Sequence, residues 1–200
     1  MASNTIEKSR TALIALLQKA YANEQAAAHA YQGHSLGLFL KSEERAHIRG
    51  IARAEWRHYE TARRMLEQLR APLPKTRGVC MALLGRGIGV FCVFGGKLIP
   101  MYGAGWLESD VVNIYEQAAR HAFQANHQEL IPELLDMAEE EWDHEAYFMQ
   151  HIQQHPVGKH LKLWNTPAPR ASLRTRFSRF CMAERKRNLG QDLARVQSTR

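Results

Sequence analysis

Two short segments of the chain carry metal-binding residue types at a spacing that suits a helix. Glu55 and His58 stand three positions apart, and so do Glu141 and His144. Residues i and i+3 lie on one face of an α-helix, so each pair presents a carboxylate and an imidazole in the same direction. Four antiparallel helices hold two metal ions when two of them contribute a Glu and the other two contribute such a Glu-x-x-His pair. The segments therefore raise the hypothesis of a two-metal centre.

The Glu-x-x-His spacing is weak evidence by itself. A chain of this Glu and His content has roughly 0.8 matches by chance, and this chain has three, the third being Glu44 and His47. Glu44 precedes Glu55 by 11 residues, which is almost three turns or roughly 16 Å along a helix. No carboxylate is available opposite Glu44 at that level. We therefore interpret Glu44 and His47 as a surface or bundle-end pair.

Distances to the helix connections predict the two carboxylates that the centre still needs. Glu24 and Glu55 each lie roughly 21 to 25 Å from the turn between the first two helices, and Glu116 and Glu141 lie at matching heights on either side of a turn near residue 128. Each residue taken singly also suits an ordinary solvated helix face. Together they make an oxygen-rich set that favours two iron or manganese ions over structural zinc. The predicted metal ligands are Glu24, Glu55, His58, Glu116, Glu141 and His144.

The elements that must position these residues are predicted to be helices. Apolar residues recur at helical spacing over residues 6–31, 42–69, 109–126 and 131–154. Ser42 and Ser109 suit helix N-caps, and Pro72 ends the second helix. No segment alternates with a period of two, so the sequence predicts an all-α fold without a sheet.

An apolar, glycine-rich segment covers residues 78–105, between the second and third of these helices. Its longest uncharged run has ten residues, Gly87–Gly96, against the roughly 18 to 20 that span a bilayer. We therefore expect a buried or interfacial connecting helix rather than a transmembrane one. The Gly85, Gly87 and Gly89 spacing has no preceding strand and no Walker lysine, which argues against a phosphate loop.

Size and charge divide the 200 residues into a body and a tail. A body of residues 1–156 suits one domain, and residues 157–200 form a basic extension with 11 Lys and Arg against Glu184 and Asp192. The body is nearly neutral, so the net charge of +7 belongs to the tail. A polyanion partner would therefore meet the tail.

The tail could be a solvated segment or an amphipathic helix. Four apolar residues would form one stripe beside arginines, as in helices that lie on anionic membranes: Leu173, Phe177, Phe180 and Cys181. Nucleic acid would have no use for the stripe, so we consider it an unlikely partner. An odd number of cysteines and no apolar leader favour a reducing, cytoplasmic location.

Several spacings are similar to those of one enzyme family. Glu24 is followed by Ala27, Tyr31 and Gly33, Glu116 is followed by His121 and Phe123, and residues 140–144 read Glu-Glu-Trp-Asp-His. With the glycine-rich segment, these features make residues 21–152 resemble the ferritin-like di-iron carboxylate proteins, and within them the demethoxyubiquinone hydroxylase family of ubiquinone biosynthesis. The chain departs from the family in a longer stretch from Gly96 to Glu116 and in a basic C-terminal extension.

The resemblance implies a ferritin-like four-helix bundle with an extra apolar helical segment between bundle helices 2 and 3. Glu55 and Glu141 would bridge two iron ions, Glu24 and Glu116 would be terminal ligands, and His58 and His144 would each bind one iron. His121 would orient a ligand, with an ordinary packed histidine as an equal alternative.

The implied activity is that of a dioxygen-dependent di-iron monooxygenase. It would hydroxylate a prenylated methoxybenzoquinone, with NADH as electron source, as a peripheral protein on the cytoplasmic face of a membrane. The implied partners are the prenylated quinone, the membrane surface and other proteins of ubiquinone biosynthesis. Two alternatives stay open: a ferritin-like or rubrerythrin-like protein that handles iron or peroxide, and a di-iron tRNA hydroxylase.

Overall fold

The computed structural model describes residues 2–198, and six long helices account for most of them. They are α1 (Ala2–His34), α2 (Ser42–Gln68), α3 (Lys75–Phe94), α4 (Leu98–Gln124), α5 (Ile131–Gln154) and α6 (Leu173–Ser198). The described part of the chain contains no strand, which confirms the all-α prediction. Helix α4 begins 11 residues before the predicted start at Ser109. Ser109 is therefore not an N-cap: it lies buried inside the helix, and its hydroxyl donates to the Trp106 carbonyl at 2.8 Å.

Helices α1, α2, α4 and α5 surround a common centre. Helix α1 packs against α2, α3 and α4, and α4 packs against α5. One apolar cluster, which includes Leu17, Met65 and Leu134, fills one end of the bundle. A second cluster, which includes Ile48 and Phe148, fills the other end. The buried polar residues between these two clusters therefore lie in the middle of the bundle, shielded from water on both sides.

Helix α3 runs along α1 and turns its small residues towards it. A Cβ at Gly85 would lie 2.2 Å from the Ala26 carbonyl oxygen, and a Cβ at Gly33 would lie 2.4 Å from Gly89. These contacts require glycine, so the predicted close approach of the connecting helix is confirmed. Large apolar residues lie on the outer face and are more than half exposed: Val79, Leu83, Leu84, Val90, Phe91 and Phe94.

The length argument against a membrane span at α3 was wrong. Helix α3 has 20 residues, and its length and composition would allow it to cross a membrane. The sequence argument counted only the uncharged run, whereas a helix with few charges can also qualify. Helices buried in soluble proteins can meet the same criterion. Only about 28% of the most apolar window of α3 is buried, so α3 is not such a core helix.

Helix α6 docks onto the bundle, so its first half cannot be the membrane-facing stripe that the sequence predicted. Leu173 and Phe177 are buried in the apolar cluster beside α4 and α5, and the ring of Phe180 lies 6.2 Å from that of Phe123. Arg174 donates to Glu139 of α5 at 2.7 Å. The apolar stripe and its arginines thus find partners within the chain. The last two residues of the predicted tail lie outside the described part.

Candidate metal centre

Five of the six predicted ligands converge between the two apolar clusters. One group of ligand atoms comes from Glu24, Glu55, His58 and Glu141, and a second group from Glu55, Glu108, Glu141 and His144. Within each group the atoms lie within 4.8 Å of one another. Glu55 and Glu141 belong to both groups, so the residues could hold two metal ions that share these two carboxylates.

The fourth carboxylate is Glu108 and not Glu116. Glu108 is buried and belongs to the second group of donors. Glu116 is also buried, but Arg120 donates to it at 2.6 Å and Arg176 of α6 donates to its other oxygen. Glu116 therefore serves an ion-pair cluster between α4 and α6, which corrects the predicted ligand set.

Helical phase explains this difference. Eight residues separate Glu108 from Glu116, which turns the second side chain about 80° away and moves it about 12 Å along the axis. Tyr115, seven residues after Glu108, returns to nearly the same face. The sequence prediction used only the distance of Glu116 from the turn near residue 128, which gave a suitable level along the bundle. It did not consider the direction in which the Glu116 side chain points.

Each terminal carboxylate is held by a tyrosine from the opposite helix. The Tyr31 hydroxyl of α1 donates to Glu108 of α4, and the Tyr115 hydroxyl of α4 donates to Glu24 of α1. Both helices thus use a Glu followed by a Tyr seven residues later. This repeated spacing was the sequence signal that could have identified Glu108, since the residue seven after Glu116 is Phe123.

The buried donors face one another in a way that fits a pair of cations. Both carboxylate oxygens of Glu55, Oε1 of Glu141 and Nδ1 of His58 are buried and make no hydrogen bond of regular geometry in the described part of the chain. Their near polar neighbours are the other donors of the same centre. Buried polar atoms are nearly always satisfied, and unpaired buried charges are costly. Four carboxylates and two neutral imidazoles would be neutralised by two divalent ions. The donor set therefore fits a two-metal centre.

The pKa values show how protons balance the same charges without metal. Burial, with repulsion from Glu141 and Glu55, holds the pKa of Glu24 well above its usual value, and burial does the same for Glu108. The pKa of His58 rises to about 10 because attraction to Glu141 outweighs burial. The pKa of Glu141 falls despite its burial, through the charge of His58 and a hydrogen bond with His144. Metal ions would displace these protons.

Both imidazoles direct Nδ1 towards the shared carboxylates. His58 Nδ1 lies 2.8 Å from Glu141 Oε1, and His144 Nδ1 lies 3.1 Å from Glu55 Oε1. On the outer side of the His58 ring, Nε2 lies 3.0 Å from Glu140, whose pKa falls to about 2 chiefly through this hydrogen bond. A carboxylate in this position fixes the ring of a metal-binding histidine and raises its basicity.

His121, proposed from the family resemblance to orient a ligand, lies away from the centre. It follows Glu108 by 13 residues, or about 20 Å along α4. Its pKa is lowered by burial. The described geometry therefore favours the alternative of a packed histidine.

Comparison with known proteins leaves the centre to be interpreted from its own geometry. No protein-family model, no curated protein and no solved structure matches the chain. The buried carboxylates and histidines are compatible with a metal site, and the physical arguments above carry that interpretation.

Proposed function

We propose that this protein is a di-iron, dioxygen-dependent monooxygenase with a ferritin-like bundle, and that it hydroxylates a prenylated methoxybenzoquinone in ubiquinone biosynthesis. One observation carries the di-iron part of the proposal: two groups of buried donors share Glu55 and Glu141 in the middle of the bundle. The sequence resemblance supplies the quinone substrate and NADH as the source of electrons.

The residues of the centre divide the work in this proposal. Glu55 and Glu141 would be shared by two iron ions, with Glu24 and His58 holding one ion and Glu108 and His144 holding the other. When bound, the iron pair would supply the redox chemistry that dioxygen requires. Tyr31 and Tyr115 hold the terminal carboxylates in place, while the apolar clusters at both ends keep bulk water from the centre.

The outer face of α3 supports a substrate that lives in a lipid bilayer. An exposed apolar face of this extent is unusual for a soluble monomer and suits an interface. Basic residues flank or interrupt it at Lys75, Arg77 and Arg86, as in helices that lie in the surface of anionic membranes. Since α3 packs directly on α1, which carries Glu24, the proposed membrane face is one helix away from the centre. We accordingly propose peripheral attachment through α3.

The apolar face also distinguishes this proposal from the other two activities. A cytosolic protein that handles iron or peroxide would need the metal centre but not an exposed apolar helix. A tRNA hydroxylase was suggested only by the basic tail, and Arg170, Arg174 and Arg176 in that tail are paired with carboxylates of the bundle. Neither alternative uses the surface that the fold exposes.

Product analysis tests the proposed activity. Full-length protein loaded with ferrous iron should convert a demethoxyquinone to its hydroxylated product in the presence of NADH and dioxygen, with a Glu55→Ala variant as the inactive control. A mutant cell that lacks the protein should accumulate the demethoxy precursor. Iron oxidation and storage without any quinone product, together with normal quinone levels in the mutant cell, would contradict the proposal and support an iron-handling protein.

A further inference from the structure

Large apolar side chains are exposed at one end of the bundle, where α1, α3 and α5 end and α2 and α4 begin. We call this the apolar end. Its side chains that are more than half exposed include Leu38, Phe39, Phe91, Phe94, Ile99 and Val157. At the opposite ends of α1, α2, α4 and α5, the described residues expose one large apolar side chain, Ile6, at 37%. The two ends of the bundle therefore differ strongly in apolar exposure.

Direct contacts join the segments of the apolar end into one surface. The Leu38 backbone N–H, in the turn between α1 and α2, donates to the Val93 carbonyl of α3 at 3.0 Å. Three residues connect α3 to α4. Gly158, which follows α5, lies so close to the start of α4 that an added Cβ would be 2.9 Å from Leu98 Cδ1. The exposed apolar side chains on these segments consequently form one continuous patch.

The charges at the apolar end favour an anionic partner. Over residues 35–44, 87–101 and 150–165, the acidic residues are Glu43 and Glu44, and Glu44 is already paired with Lys97. Three further lysines are exposed and form no ion pair in the described part of the chain: Lys41, Lys159 and Lys162. Apolar side chains beside unpaired lysines are typical of surfaces that enter the headgroup region of an anionic membrane.

The C-terminal half of α3 suits insertion better than the N-terminal half. Gly87–Gly96 carries no charge, whereas the basic residues of α3 all precede it: Lys75, Arg77 and Arg86. Val79 lies 15 residues before Phe94, which is about 22 Å along the helix. Interfacial segments enter a bilayer by about 5–10 Å. A bundle that inserts its apolar end therefore keeps Val79 in water.

We propose that the apolar end inserts into the surface of an anionic lipid bilayer, so that the long axis of the bundle is steep to the membrane. The inference rests on the proposed function, which supplies a lipid substrate, and it narrows the attachment through α3 to the C-terminal half of that helix. Glu24 lies ten residues from the end of α1, and Glu55 lies 13 residues from the start of α2. The candidate metal centre is then about 15–20 Å from the bilayer surface, so the quinone ring must leave the bilayer to reach it.

Flotation of the full-length protein with vesicles of phosphatidylcholine and phosphatidylglycerol tests this orientation. Phe39 and Val79 are both 61% exposed, but only Phe39 lies at the apolar end. Phe39→Glu should weaken binding by about tenfold or more, because the bilayer no longer buries an apolar ring, and Val79→Glu should bind as wild type. Unchanged binding of Phe39→Glu, or an equal loss in Val79→Glu, would overturn the proposal.

Lysine variants test the electrostatic part of the attachment. Replacement of both Lys159 and Lys162 with Gln should weaken binding to these vesicles by roughly tenfold or more. Replacement of both Lys8 and Lys19, which are exposed on α1 away from the apolar end, should leave binding unchanged. An equal loss in the two double variants would show that net charge alone governs binding and would contradict insertion of the apolar end.

A depth measurement with conservative variants decides the case in which circular dichroism shows that Phe39→Glu is unfolded. Phe39→Trp and Val79→Trp each add one indole to the wild-type emission. Lipids brominated on their acyl chains should quench the added emission of Phe39→Trp and leave that of Val79→Trp unquenched. Quenching of Val79→Trp alone, or of neither variant, would refute the proposed orientation.

Sedimentation of the protein without lipid tests a second copy of the chain as the occupant of the patch. A wild-type dimer that Phe39→Glu dissociates, together with no binding of wild type to vesicles, would show an interface between copies and overturn the proposal. Vesicle binding requires neither iron nor quinone, so absence of a hydroxylated product would contradict the proposed function alone. Equal vesicle binding of wild type and Phe39→Glu would contradict the orientation alone.

Discussion

Replacement of Glu108 and of Glu116, one at a time, separates the metal centre from the ion-pair cluster on the same helix. Glu108→Gln removes a carboxylate oxygen from one of the two donor groups and leaves the helix and its volume nearly unchanged. Glu116→Gln removes the partner of Arg120 and Arg176 but no atom of either donor group. The two variants should therefore fail in different assays.

The magnitudes follow from what each carboxylate contacts. Loss of a residue that merely supports a ligand typically lowers metal affinity by about 10- to 100-fold, so loss of the ligand Glu108 should lower it by at least that factor at the site completed by His144. Removing one partner of a fully buried pair costs about 3–5 kcal/mol. The side chains of Arg120 and Arg176 are 40% and 31% exposed, so water compensates them and we expect about 1–2 kcal/mol for Glu116→Gln. For a domain of this size that lowers the melting temperature by roughly 2–8 °C.

Iron content after anaerobic reconstitution and desalting, with a thermal melt of each apoprotein, measures both effects. Glu108→Gln should retain about one iron per chain, and Glu116→Gln should retain two and melt earlier than wild type. If Glu116→Gln loses iron while Glu108→Gln keeps two, the geometric argument for Glu108 is refuted.

Three further predictions concern protons, the membrane face and helix packing. Metal binding should strengthen by about tenfold per pH unit between pH 6 and 8 for each proton released, because His58, with its pKa raised to about 10, is protonated over this whole range and must lose its proton; a pH-independent affinity for Co²⁺ would contradict this. Phe94→Glu should weaken binding to anionic liposomes in flotation, whereas Leu189→Glu, at an equally exposed apolar position on α6, should not; equal loss in both would argue against α3 as the attachment face. Gly85→Ala should destabilise the protein by about 1–3 kcal/mol through overpacking, while Gly87→Ala, with no atom within 4 Å of the added Cβ, should be neutral or stabilising in urea unfolding.

The parts of the centre that were predictable from sequence are those that local spacing determines. Glu55 with His58 and Glu141 with His144 each lie within one turn of a helix, so a shared face follows from the spacing alone. Glu24 was predicted by its height on the neighbouring helix and confirmed as a member of one donor group. Glu108 was missed because Ser109 suited an N-cap and the helix was begun there. Without the preceding turns of α4, Glu108 stood outside the predicted helix.

The role of α6 was not predictable from its own residues. An apolar stripe beside arginines is equally compatible with an anionic membrane and with a bundle whose surface carries carboxylates. The bundle is the partner of this stripe because α5 carries three carboxylates that pair with Arg170 and Arg174: Asp136, Glu139 and Asp143. Such a match between distant segments appears only once the helices are placed together. In α3, by contrast, the glycines correctly predicted a close approach of another helix. Gly85 and Gly89 lie on the face of α3 that contacts the backbone of α1, where a larger side chain would not fit.

Anomalous diffraction at the iron edge, from crystals of the anaerobically reconstituted full-length protein, tests the central claim most directly. The account predicts two iron peaks about 3.5–4 Å apart, bridged by Glu55 and Glu141, with Glu24 and His58 on one ion and Glu108 and His144 on the other. No peak between the bridging carboxylates, or an iron bound by Glu116, would contradict it.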